Sequence, residues 1–277
     1  MVSRDRTIRL VVNADDFGKS SATNHAVAMA HQKGILTTAS LMVTGDAFDE
    51  AVAIARANPG LGVGLHLTLL CGRACSPQHQ IPDLVDDRGR FSDNPVRTGL
   101  RYFFNRSLRS QLAREIAAQF NRFKETGLTL DHVNGHLNIH LHPTVTDLLF
   151  PFITTPRPVP IRLTRDLFRL NCQIARGRYF YRSSHAIIFA CLSAWARPRL
   201  RKAGIRHTDA VFGLLENGRV DEDYLLRLMP RLPAGDYELY SHPSLDQSRV
   251  EFEALVSDRV LELAQQLNIR LIRYSEL

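Results

Sequence analysis

The chain has 277 residues, 44% of them hydrophobic and 23% charged, and a formal net charge of +7. That length buries a sizeable core. The proportions are ordinary for a globular chain and exclude a disordered, collagenous or disulfide-stapled scaffold. No apolar run precedes "TIRLVVNADD", so no signal peptide is expected. The longest mostly apolar stretch, "AIIFACLSAWA" at 186–196, falls short of the ~20 residues of a membrane span.

In chain order, "IRLVVNA" (8–14) predicts a buried strand, and "SATNHAVAMAHQKG" a helix capped by Ser20 or Ser21 and stopped at Gly34. "TTASLMVTG" (37–45) predicts a second strand. "DAFDEAVAIARANPG" predicts a helix from Asp46 to the Asn58-Pro59-Gly60 stop, and "VGLHLTL" (63–69) a third strand. A loop rich in Pro, Gly and Asp is expected up to residue 105. An amphipathic helix follows over 107–127, with apolar residues at 112, 116, 120 and 123. "LTLDHVNG" (128–135) predicts a fourth strand, and "HPTVTDLLFPFI" a short helix with Pro143 in its first turn. "VPIRLT" (159–164) predicts a fifth strand. Further strands are expected at 209–214, 237–243 and 269–274, separated by helices near 221–231 and 250–267.

This alternation points to an α/β fold with parallel strands, and the length favours a TIM-like (β/α) barrel over a doubly wound sheet. A single domain over 1–277 is expected, interrupted by an insertion at 166–206. Residues 157–206 hold twelve Arg or Lys and one acid, Asp166, so this segment carries +11 while the rest of the chain is net acidic. Such local basicity speaks of an anionic partner. The segment contains "YFY" (179–181), the apolar "AIIFACLSAWA" and "RPRLRK" (197–202), the layout of an amphipathic, membrane-facing element. No nucleic-acid-binding motif accompanies it, so no nucleic-acid partner is expected. The four cysteines (Cys71, Cys75, Cys172 and Cys191) form no recognisable metal or disulfide framework.

A barrel carries its chemistry at the C-terminal ends of its strands. Asp15 and Asp16 end the first predicted strand, His66 lies late in the third, and His242 ends "YELYSHP". Four of the eleven histidines fall in "HVNGHLNIHLHP". His132, His136, His140 and His142 all have even numbers, so an extended strand would point them to one face. Carboxylate and imidazole groups gathered from separate strand ends suit a divalent metal such as zinc. Of two adjacent aspartates at a strand-to-loop corner, one can bind metal while the other reaches the metal-bound water. Gly18 lets the chain turn sharply after them.

"VVNADDFGKS", "GILTTASLMVTGDAFDEAV", "VGLHLTL", "DHVNGHLNIHLHP" and "YELYSHP" together resemble the YdjC-like carbohydrate deacetylases, most closely their hopanoid-biosynthesis-associated HpnK group. The similarity covers most of the chain to about residue 165 and resumes near 207. The resemblance implies a distorted (β/α) barrel that removes acetyl groups from N-acetylated sugars with one divalent metal ion, zinc or magnesium. It places the metal ligands on Asp16, His66 and His136 and the general base on Asp15. His242 falls on the place of the acid, with His140 the lesser candidate. Arg162 would orient Asp15 or hold substrate, and His140 and Asn138 would join it in the substrate pocket. Asn138 stands where the family's pattern has a histidine, and asparagine cannot take up a proton near neutral pH. The substrate implied is an N-acetylglucosaminyl hopanoid, a glycolipid. Soluble chito-oligosaccharides are the alternative, and a non-catalytic lipid- or sugar-binding barrel is a third reading. The implied setting is cytoplasmic, peripheral to an anionic inner membrane, with a homodimer as the default assembly.

Overall fold

The computed structural model describes residues 7–175 and 177–277. Its elements run β1 (Ile8–Phe17), α1 (Ser21–Lys33), β2 (Thr38–Leu41), α2 (Phe48–Ala57), β3 (Gly62–Leu67), α3 (Pro95–Phe104), α4 (Leu108–Glu125), β4 (Leu130–Gly135), α5 (Pro143–Thr154), α6 (Phe168–Ile174), α7 (Tyr179–Lys202), β5 (Ala210–Phe212), α8 (Glu222–Leu228), β6 (Gly235–Ser241), α9 (Arg249–Leu255), α10 (Asp258–Gln266) and β7 (Arg270–Leu271). All paired strands are parallel, in the order β4-β3-β2-β1-β6-β5, with β7 pairing the start of β1. The central strands are buried along nearly their whole length because helices cover the sheet. Parallel pairing also brings every strand's C-terminal end to one edge.

The regular sheet is an open half-barrel of parallel strands, which agrees roughly with the expected distorted TIM-like barrel but is not closed. The gap lies at 159–165, the predicted fifth strand. That segment makes one parallel bridge, Val133 to Ile161. On its other side the Val211 amide donates to the Arg165 carbonyl at 2.8 Å. Pro158 and Pro160 lack amide donors at the start of this segment, which shortens the ladder it can build.

The expected insertion at 166–206 is absent as a separable unit. The segment forms α6 and α7, and α7 belongs to the main body. Ala196 and Leu200 are fully buried in the principal core. Ser193 Oγ donates to the Thr164 carbonyl at 2.9 Å.

Two further expectations change. The region read as loop to residue 105 contains α3. Asn94 Oδ1 caps it by accepting from the Arg97 amide at 2.9 Å, and Pro95 occupies its first turn. The helix expected over 250–267 is broken in two, and Ser257 caps the second half. The histidine run does not continue as a strand either. β4 stops at Gly135, and 136–141 coils into tight 3₁₀ turns, with Leu137 and Asn138 left-handed at φ 49° and 57°.

Candidate active site

Three residues from three places on the C-terminal edge converge. Asp16 ends β1, His66 lies near the end of β3, and His136 starts the turn after β4. Their candidate ligand atoms all lie within 4.8 Å of one another. His136 Nδ1 is 2.9 Å, and His66 Nε2 3.3 Å, from the same Asp16 oxygen, Oδ1. Register shifts in β1 between Ala14 and Phe17, and Asp16 takes a left-handed φ of 64°. That kink turns two consecutive carboxylates toward one site, which a regular strand forbids. Gly18 at φ 92° completes the turn, 3.1 Å being all the room a Cβ would have from the Met42 carbonyl.

The trio fits a divalent ion. His66 Nδ1 lies 2.7 Å from Asn134 Oδ1, to which it donates. That fixes the tautomer and leaves the Nε2 lone pair facing Asp16, buried and without a hydrogen-bond partner. An orphaned buried imidazole nitrogen beside a carboxylate and a second imidazole is a donor set of zinc type. Burial disfavours charge on Asp16, but His136 and His66 outweigh it and hold its carboxyl well below the ordinary carboxylate range. Lys19 Nζ, 2.9 Å from Oδ2, meets the second oxygen.

Asp15 is held differently. Arg162 grips it with both prongs, Nη1 to Oδ2 at 2.7 Å and Nη2 to Oδ1 at 2.8 Å. Asn13 and Asn134 add amide donors to Oδ1 at 2.8 and 3.0 Å. Burial pushes the Asp15 carboxyl up, yet the charge of Arg162 and then that of His66 overcome it, and the group stays ionised far below its usual range. Arg162 is itself fully buried, donating from Nε and Nη2 to Glu238 Oε1 at 2.9 and 2.7 Å. Glu238 is capped by the Tyr274 hydroxyl, and the Tyr274 ring stacks on His132 at 4.5 Å. Charges thus alternate along a buried line in which Asp15 and Glu238 share the Arg162 guanidinium and the Tyr274 hydroxyl supplies a further donor to Glu238.

His242 follows β6 and lines the same cleft as Asp15. Its amide donates to Glu251 Oε2 at 2.6 Å, and its Nδ1 lies 3.8 Å from that oxygen. The ring is part-exposed, as a proton donor to substrate must be.

The four histidines of 132–142 go to four different places. His132 is buried under the site, 2.9 Å from Ser40 Oγ and 3.1 Å from Asp131, and its ring lies where a Cβ on Gly64 would stand. His136 joins the trio. His140 is fully buried with Nε2 on the Arg162 carbonyl, and burial pushes it down to about 3. That removes His140 both as an acid and as a substrate-binding residue. His142 faces the Gly99 carbonyl from the cleft wall. Arg162 is fully buried and spends four of its five N–H donors on Asp15 and Glu238, so it holds Asp15 in place and does not reach the cleft surface. Asn138 does line the cleft, and its Oδ1 accepts from Thr164 Oγ1 at 2.8 Å.

Sequence reasoning passed over Asn134, Glu238, Glu251 and Tyr274. The alternation in "DHVNGH" carried a signal for Asn134, two residues before His136 and therefore on the same face of the strand.

The cleft above Asp15 and His242 measures about 610 Å³. Its walls are apolar: Val96, Leu100 and Phe103 of α3 face Ile188, Phe189 and Leu192 of α7.

Several known proteins share this chain's sequence or fold. A carbohydrate deacetylase from Geobacillus stearothermophilus is 31% identical over 269 residues, 96% of each chain. A carbohydrate deacetylase from Brevibacillus brevis is 38% identical over 155 residues, and this match spans 56% of the present chain and 59% of that one. A crystal structure from Enterococcus faecalis V583 superposes with a TM-score of 0.72 over 98% of both chains at 22% identity, which shows the common fold. The family described as YdjC-like protein matches residues 9–266, and by that match the chain belongs to the YdjC-like family.

Proposed function

We propose that this protein hydrolyses the N-acetyl group of an N-acetylated amino sugar, and that the sugar is joined to an apolar aglycone. The observation that carries the chemistry is the meeting of Asp16, His66 and His136 with Asp15 and His242 at one sheet edge. A divalent ion, zinc or magnesium, held by the first three would lower the pKa of water and polarise the acetyl carbonyl. Asp15 accepts the proton of the attacking water, and Arg162 keeps it ionised and aimed. His242, steadied by Glu251, protonates the departing sugar amine. The names of the Geobacillus and Brevibacillus relatives support the reaction class.

The apolar walls of α3 and α7 support the aglycone. The cleft has aromatic and polar groups such as Tyr181, Tyr240 and Asn217 for a sugar, and beside them Val96, Leu100, Ile188 and Leu192 suit a hydrocarbon body such as a hopanoid. Acetate release from an alkyl N-acetylglucosaminide, compared with an N-acetylglucosamine oligomer, tests this. The alkyl glycoside is expected to give the higher kcat/KM, and chelation to abolish both activities. Preference for the oligomer would overturn the aglycone reading. Absence of acetate from either substrate with zinc or magnesium added would overturn the reaction itself.

A further inference from the structure

We propose that α3 and the first half of α7 form a rim that docks on an anionic lipid surface, so that the cleft opens onto the membrane. This names a partner for the site described above and builds on the reading of an apolar aglycone.

The rim is apolar on both sides of the mouth. Val96 and Phe104 of α3 are 71% and 74% exposed, and Phe180 and Ile187 of α7 are 88% and 65% exposed. Leu100, Phe103 and Ile188 continue from this surface into the cleft, exposed and cleft-lining at once. A soluble surface normally scatters such side chains singly. Here they are gathered on two helices around one opening.

The charges select the partner. Over 94–114 there are five arginines and no acid, and at the first half of α7 the exposed base is Arg178, Arg182 being buried against Glu216. Arg97, Arg101, Arg106 and Arg178 are exposed beside the apolar residues. A protein interface of ordinary composition mixes both signs. A rim of aromatic and aliphatic groups flanked mainly by exposed arginines matches acyl chains under a layer of phosphates.

The rim is also firmly seated. Tyr102, on the inner face of α3, is buried and donates to the Leu69 carbonyl at 2.7 Å, and α7 is fixed by Ser193. The apolar face of α3 therefore stays outward because its other face is already bonded.

The test is cosedimentation of the full chain with vesicles of phosphatidylcholine alone and with added phosphatidylglycerol. Binding is expected only to the anionic vesicles and should weaken as salt rises. Phe104→Glu and Phe180→Glu together replace two inserted rings by charge and should cut the partition coefficient by about 100-fold. Neither residue lines the cleft, so thermal unfolding and acetate release from a soluble N-acetyl sugar should match the parent. Equal sedimentation of parent and double variant overturns the proposal. So does a shift of the parent's oligomeric state by the double variant with vesicle binding intact, which would make the rim a contact between copies. Failure of the deacetylase reading would show instead as absent acetate release, and sedimentation does not depend on it.

Discussion

Replacing Tyr274 by Phe isolates the far end of the line that supports Asp15. The substitution removes one hydroxyl and keeps the ring that stacks on His132. Glu238 then loses the only donor to its Oε2 among the described residues, since Arg162 reaches Oε1. Both Glu238 and Tyr274 are fully buried, so water cannot substitute. A hydrogen bond to a charged group contributes about 1.5–3 kcal/mol, and an orphaned buried acceptor lies at the upper part of that scale. The variant should lose about 2 kcal/mol, a factor of roughly 30 in the folding equilibrium. Trp195 is the single tryptophan, and its fluorescence can follow urea unfolding. The midpoint should fall with the slope unchanged. An underheld Glu238 pulls harder on Arg162, so Asp15 is less well aimed and kcat should fall by about tenfold with KM unaltered. A variant as stable as its parent refutes the bond. One that is destabilised yet keeps its kcat refutes the link from Glu238 to Asp15.

Asp15→Asn should keep its metal content by elemental analysis and lose on the order of 10²–10⁴ in rate, because the amide cannot take up the proton. Loss of metal there would exchange the roles of Asp15 and Asp16. Asp166 is half-buried, but both its carboxylate oxygens are shut off from solvent and unpartnered, and that desolvation raises it to about 8. It stays protonated in the folded chain but ionises above its ordinary 3.8 when unfolded, so the unfolded state binds fewer protons and stability falls as pH rises through that window. Asp166→Asn should therefore flatten the decline in melting temperature between pH 5 and 8.5, and an unchanged slope would contradict the assignment. Asn138→His should shift kcat/KM only mildly, since Asn138 lines the cleft wall and the proposed proton carriers are Asp15 and His242. A large gain would show that this position moves protons.

Strand ends were the legible part of this site. Asp15, Asp16, His66, His136 and His242 each sit where an apolar run stops, and a parallel sheet brings such ends together without further instruction. Glu238 and Tyr274 were not legible because nothing near them in sequence distinguishes them from strand filler. Their meaning comes from Arg162, 76 positions before Glu238. His140 misled because even spacing implies one face only while the chain stays extended, and Gly135 ends the strand first. Pro158 and Pro160 signalled a shortened ladder in plain view, yet the apolar "VPIRLT" outweighed them in the reading. α3 announced itself only by Asn94-Pro95, a cap signal submerged in a loop-like composition.

The pairing of β1 with β6 has a consequence for the chain as it is made. Arg9 of β1 meets Asp236 of β6 across 227 positions. β2 can settle against β1 soon after both emerge from the ribosome, but the other edge of β1 must wait for β6. At about 5–20 residues per second, translation leaves that edge unpaired for roughly 10–45 s. Throughout that interval the longest described strand, ten residues, presents a free ladder to any neighbour. The demand on chaperones therefore falls on β1, whose partner β6 follows more than 200 positions later.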